Sequence, residues 1–295
     1  MPHLRVSPRT LGHMNLSSFC PRCYWYQVHM DFKMPFDSHM PGIMFNLDKF
    51  EKLIVEAHFK TFDKSPRWLQ KLNLYSVVDF PSKLTMEFPK YDITLVGMPD
   101  AVFETSSRKL CLVDYKSAKY KGQDDPFMPA YEAQLMGYTH LLEDAGVGEV
   151  ESAALIYFEN NLSENEDKPL DLLTDDGFDA PFTVKIHDVK INRPDLWPLL
   201  KKVRGFADKR HPPTGLDKCK DCARLQALFD SEELRLNATQ NVRSTDENYF
   251  HKVMKPMLMG DKARARAAWS NADDDFAPDL IAGAYRDSLP ASWDL

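Results

Sequence analysis

The chain has 295 residues, is 43% hydrophobic and 12% aromatic, and carries a formal net charge of −7. These are ordinary values for a globular protein, and the length suits one large domain or two small ones. A net acidic chain has no global basic field, so a nucleic-acid partner would need a local basic groove or a bridging metal ion.

No run of about 18 apolar residues occurs, so no membrane span is expected. The N-terminal stretch lacks an apolar core followed by a small-residue cleavage site, so it does not read as a secretory signal. A cytoplasmic setting, where thiols stay reduced, is the expectation.

In chain order, residues 1–40 read as short and irregular around "CPRCYWYQ". Leu47, Phe50, Ile54 and His58 recur at three- and four-residue steps, which predicts a helix over 46–62 with that stripe inward. "SVVDFPSKLTMEFP" and "DITLVGMPDAVFET" read as strands, "SSRK" as a polar turn and "LCLVDYKSA" as the next strand. "PAYEAQLMGYTHLLEDAG" predicts a helix, with Pro129 near its start and Gly146 at its C-terminal cap. "EVESAALIYFE" reads as a strand covered on both faces, followed by an acidic loop and a last strand, "FTVKIHDVKI". "DLWPLLKKVRGFADKR" predicts a basic helix interrupted near Pro198, and His211-Pro212-Pro213 a rigid turn.

These elements predict an α/β fold, a mixed central sheet flanked by helices. Residues 1–229 are expected to form the main domain. Residues 230–295 would be a C-terminal extension, partly helical or flexible, with "KVMKPMLMGDKARARAAW" as its best helix. Removal of 271–295 should then leave metal binding and cleavage nearly unchanged.

The strand "LCLVDYK" is unusual for a core strand. Asp114 and Lys116 share one face, Val113 and Tyr115 the other, and Asp100 can come alongside from the neighbouring strand. Buried unpaired carboxylates cost several kcal/mol even after relaxation, on the order given for buried ions. One lysine does not neutralise two carboxylates, whereas a divalent cation does, and hard oxygen ligands suit magnesium or manganese. Lys116 can orient or deprotonate an attacking water, or stabilise developing charge. The residues alone leave these roles open, as they leave open that the carboxylates are surface charges of a structural protein.

Pro99-Asp100 followed by Asp114-Tyr115-Lys116 resembles the motif of the PD-(D/E)XK nuclease superfamily. Gln134 and Tyr138 lie four residues apart on one helical face and resemble the Q-x-x-x-Y motif of its RecB-like branch. The resemblance implies a restriction-endonuclease-like core and hydrolysis of phosphodiester bonds in DNA, dependent on Mg2+ or Mn2+. It implies Asp100 and Asp114 as metal ligands, Lys116 as the group assisting water, and Gln134 and Tyr138 as further site residues. A ligand on the N-terminal helix is also implied, with Glu51 the first candidate and Asp48 the second. The implied partner is DNA with single-stranded character, in bacterial or phage repair or recombination, alongside an unnamed helicase or recombination protein. The rival expectation is a non-catalytic nucleic-acid-binding or assembly module that keeps the fold.

Cys20 and Cys23 form one C-x-x-C pair, and Cys219 and Cys222 another. Each spacing lets two thiolates reach one ion, so a shared site would join the N- and C-terminal segments. Redox chemistry fits less well, since neither pair reads as the start of a long helix. Members of the RecB-like branch, including AddB and CRISPR-adaptation nucleases, hold an iron–sulfur cluster on four cysteines. Their usual arrangement of one N-terminal and three C-terminal cysteines differs from the two and two found in this chain, and Zn2+ is the alternative. Cys111 reads as a core residue. Arg108, Lys109, Lys119 and Lys121 flank the strand as expected phosphate contacts.

Overall fold

The fold grows from one antiparallel hairpin and one helical crossover. In the computed structural model, residues 3–30 and 41–239 are described. The expected extension beyond 239, its helix over 252–269 and the segment 271–295 therefore lie outside the described residues.

The elements run β1 (Leu4–Val6), α1 (Pro8–His13), α2 (Pro21–His29), α3 (Gly42–Phe62), β2 (Leu74–Val77), β3 (Leu84–Phe88), β4 (Ile93–Gly97), β5 (Ala101–Thr105) and β6 (Leu110–Lys116). They continue with α4 (Met128–Asp144), β7 (Val150–Asn160), β8 (Leu173–Thr174), β9 (Gly177–Phe178), β10 (Phe182–Val189), α5 (Leu196–Ala207) and α6 (Lys220–Thr239). The chain divides into two compact units, Met1–Trp25 with Phe36–Asp217, and Tyr26–Pro35 with Lys218–Leu295.

In the first unit a five-stranded sheet has the order β10-β7-β6-β5-β2. The β6–β7 pair is parallel and its other pairs antiparallel, so the sheet is mixed. Parallel strands need a crossover, and α4 supplies it. A three-stranded sheet, β1-β4-β3, stands beside it in the same unit. The face of β6 that carries Val113 and Tyr115 packs under α3, through Val55, Phe59, Phe103, Cys111, Ile156 and Phe158. Cys111 is thus a core residue. The helix α1 lies close against α4: a Cβ on Gly12 would come 2.3 Å from the Ala130 carbonyl oxygen, so only glycine permits that approach. In the second unit, the rings of Tyr26 and Phe229 lie 6.4 Å apart, and α6 runs through position 230 without a break.

Several expectations are corrected. Residues 3–30 are not irregular but hold β1, α1 and α2. The two long strands expected over 76–89 and 92–105 are each broken, β2 from β3 and β4 from β5, and the halves belong to different sheets. Pro81 lies within the first break and Pro99 within the second; proline cannot donate to a sheet ladder, which favours the crossing from one sheet to another. In α3 the buried residues are Glu51, Val55 and Phe59, while Phe50 and Ile54 of the expected stripe are exposed. Apolar period alone chose the wrong face, because the helix turns a hydrogen-bonded glutamate toward the sheet. Pro198 does not interrupt α5: it falls in the first turn, where its missing N–H costs nothing. The acidic loop after β7 contains the small β8–β9 ladder.

Candidate active site and metal centre

β5 and β6 pair antiparallel with Ala101 opposite Val113, which sets Asp100 beside the end of β6. The Tyr115 N–H donates to Asp100 Oδ2 at 3.0 Å. Asp114 and Lys116 project from the other face of β6, under α4. From α4, Gln134 Nε2 donates to Asp114 Oδ1 at 3.0 Å. Asp114 Oδ2 forms an ion pair with the Lys116 ammonium, yet that buried oxygen accepts no bond of hydrogen-bond geometry. The ammonium also stands 4.3 Å above the centre of the Tyr131 ring, a cation–π contact.

Glu51 enters from α3 and is 2% exposed. Its Oε1 accepts from Ser117 Oγ at 2.8 Å, and its Oε2 is buried without a hydrogen-bond partner. Burial pushes the Glu51 carboxyl up to about 7; the Ser117 bond opposes this, and the Asp48 and Asp100 charges add to it. Burial also raises Asp114, against the pull of Lys116. Lys52 meets Asp100 Oδ1 at 2.9 Å and Asp48 Oδ2 at 3.0 Å. Burial works against the Lys52 charge, but Asp100 and Asp48 outweigh it and hold the ammonium above its ordinary value. Tyr138 is 9% exposed. Burial raises its hydroxyl, and a hydrogen bond with Gln134 partly opposes the rise.

The arrangement therefore joins Asp114 to Lys116 and Gln134, with Tyr138 behind Gln134, and sets Asp100 where its charge acts on both Asp114 and Glu51. Glu51 Oε2 lacks the hydrogen bond that a buried oxygen normally makes, and Asp114 Oδ2 is met by the Lys116 ammonium. Buried carboxylate oxygens of this kind fit a hard divalent cation. A cavity of about 270 Å³ opens beside Asp100 and Lys52, with Val77, Phe80 and Met98 among its walls.

The sulfur atoms of Cys20, Cys23, Cys219 and Cys222 all lie within 4.8 Å of one another. Four thiols at that spacing can hold one metal ion or cluster. Cys20 Sγ also accepts from the Leu216 N–H at 3.3 Å. Contrary to the expectation from sequence, Cys219 and Cys222 do stand at the start of a long helix, α6, and Cys23 lies in the first turn of α2.

A sequence profile described as the PD-(D/E)XK nuclease superfamily matches residues 44–227. The chain belongs to the PD-(D/E)XK nuclease superfamily. No curated protein matches it. Fourteen solved chains match, among them the crystal structure of SSO0001, 13% identical over 72% of this chain and 80% of that one, with a TM-score of 0.38. At that score the likeness carries no argument.

PD-(D/E)XK nucleases use divalent metals, and the matched span contains Glu51, Asp100, Asp114, Lys116, Gln134 and Tyr138. Other residues stand elsewhere than expected. Arg108 and Lys109 sit at the β5–β6 turn, at the opposite end of β6 from Asp114 and Lys116, and are held by Glu104 at 3.1 Å and Glu149 at 2.7 Å. Lys119 and Lys121 are exposed just beyond β6. The sequence reading missed Lys52, Ser117 and Tyr131. Tyr131 precedes Gln134 by three positions and Tyr138 by seven, so the helical period that joined the latter two also included it. Lys52 follows Asp48 by four, a usual ion-pair spacing. Nothing local marked Ser117.

Proposed function

We propose that this PD-(D/E)XK protein is a metal-dependent nuclease of the RecB-like branch that hydrolyses phosphodiester bonds in DNA. The observation that carries the reading is the buried Asp114 carboxylate, set between the Lys116 ammonium and Gln134 and beside Asp100, with the buried Glu51 carboxyl, whose Oε2 lacks a hydrogen-bond partner, in the field of Asp100. Glu51, Asp100 and Asp114 would hold Mg2+ or Mn2+, which polarises a phosphoryl oxygen and lowers the pKa of a bound water. Lys116 presents its ammonium where an attacking water or a developing negative charge would lie. The Tyr131 ring keeps that ammonium from swinging to solvent. Gln134 fixes Asp114 by holding Oδ1, which turns Oδ2 toward Lys116, and Tyr138 steadies Gln134 in turn. Lys119 and Lys121, exposed at the end of β6, would position the phosphates of a strand without reading its sequence.

The same reading makes the substrate DNA with single-stranded character. It assigns the four cysteines an iron–sulfur cluster in preference to Zn2+, and with it a cytoplasmic setting, a bacterial or phage origin and work in repair or recombination beside a helicase. Residues 1–229 would be the nuclease domain and 230–295 an extension to it.

Anomalous diffraction from crystals soaked in Mn2+ tests the site. A peak among Glu51, Asp100 and Asp114 is expected. A peak elsewhere, or none at saturating manganese, would overturn the assignment.

A further inference from the structure

Lys52 is a cation that the motif does not account for. Its ammonium lies 3.0 Å from Asp48 Oδ2 and 2.9 Å from Asp100 Oδ1. The Asp48 contact is an ordinary i,i+4 pair on one helix, of small energetic weight. The Asp100 contact is different in kind, because it joins α3 to the start of β5 and places a second positive charge on a proposed metal ligand. Two carboxylate oxygens from separate elements converge on this one point, as they would on a metal ion.

In sites that hold two metal ions, a carboxylate shared between them is bound by one ion on each side, and the ions stand roughly 3.5–4 Å apart. One side of Asp100 is taken by Lys52. With all groups ionised, Asp48, Glu51, Asp100 and Asp114 bring four negative charges and Lys52 and Lys116 two positive ones. Among these six groups the two negative charges left over equal the charge of a single divalent cation.

We infer that Lys52 is a built-in cation filling what would be a second ion position, so that the protein loads one divalent ion at Glu51, Asp100 and Asp114. This rests on the metal reading proposed above. Lys52 is a positioning residue: it acts through Asp100 and not on the reacting atoms. Removal of its charge should open the Asp48–Asp100 position to a second ion. Arginine, which keeps the charge, should leave it closed.

The test is the Mn2+ stoichiometry of the full chain with its cysteine centre intact, measured by calorimetric titration without nucleic acid. The wild type should bind one ion that Asp114→Asn abolishes. Lys52→Met and Lys52→Gln should each bind two, and Lys52→Arg one. Two ions in the wild type would overturn the inference even if the variants fail to fold. So would a single ion in folded Lys52→Met and Lys52→Gln, whatever their loss of melting temperature, since a merely structural role lowers stability without changing the count. If Asp114→Asn removes no ion from the wild-type count, the metal reading fails and this inference fails with it.

Discussion

Lys116→Met removes the charge that faces Asp114 and leaves the aliphatic length of the side chain. The Asp114 side chain is 4% exposed and Lys116 17%, so the variant strands a carboxylate that water barely reaches. Loss of one partner of a buried pair costs about 3–5 kcal/mol. The partial exposure of Lys116 and the surviving Gln134 bond put this case at the low end, about 3 kcal/mol. For a chain of this size that corresponds to a fall of roughly 6–12 °C in melting temperature. The loss depends on pH in a definite sense. Without Lys116 the folded-state pKa of Asp114 rises further above its unfolded value, so the folded chain binds the extra proton. The variant's stability then falls as pH rises through that pKa, and the gap from wild type narrows as pH drops toward 5. Asp114→Asn/Lys116→Met should be more stable than Lys116→Met alone at pH 8, because no charge is left buried. Urea denaturation of metal-free protein at pH 5 and pH 8 measures all of these. A Lys116→Met loss equal at both pH values, or a double variant less stable than the single one, would refute the reasoning.

Divalent-ion binding should depend on pH through Glu51, whose carboxyl lies at about 7 against an ordinary 4.5; metal-free stability from this group is intact below 4.5 and lost as pH rises through 7, and Mn2+ affinity should rise over the same window, less steeply in Glu51→Gln. Gly12→Ala should lower stability by about 1–3 kcal/mol through overpacking against α4, since its Cβ would sit 2.3 Å from a backbone oxygen. Gly205→Ala, on the exposed side of the last turn of α5 with no atom within 4 Å of the added Cβ, should instead gain up to about 0.5–1 kcal/mol, and thermal melts of the two variants decide. Anaerobically purified protein should be brown and contain iron. Cys20→Ser and Cys219→Ser should each lower metal content and stability, with the double variant costing much less than the sum; strict additivity with no iron or zinc would exclude a shared centre.

Much of the site was legible because strand and helix periods are short-range. Asp114 and Lys116 share a face by alternation, Gln134 and Tyr138 by the helical repeat, and the apolar run of β7 marked a buried strand next to them. The paired C-x-x-C spacings announced the grouping of four sulfurs. What failed depends on packing. Four- and five-residue strands that change sheet between β2 and β3, and between β4 and β5, carry one continuous apolar pattern, so the crossings were hidden. The inward face of α3 is set by a hydrogen bond from Ser117 to Glu51, 66 positions away in sequence, and no local pattern encodes it. For the same reason the Lys52 bridge to Asp100 was invisible, although its Asp48 half was not. Nearness in sequence suggests Arg108 and Lys109 as phosphate contacts, but pairing with Glu104 and Glu149 at the turn uses their charge locally.

The most direct test of the central claim is cleavage of end-labelled single-stranded DNA in Mn2+ by the wild type and by Asp114→Asn, each purified and shown to be folded. The account predicts manganese-dependent cleavage by the wild type that is lost with chelator and reduced at least about a hundredfold in the variant, since a neutral amide is a poorer ligand for a hard cation. Equal cleavage by the two proteins, or cleavage that persists in chelator, would contradict it.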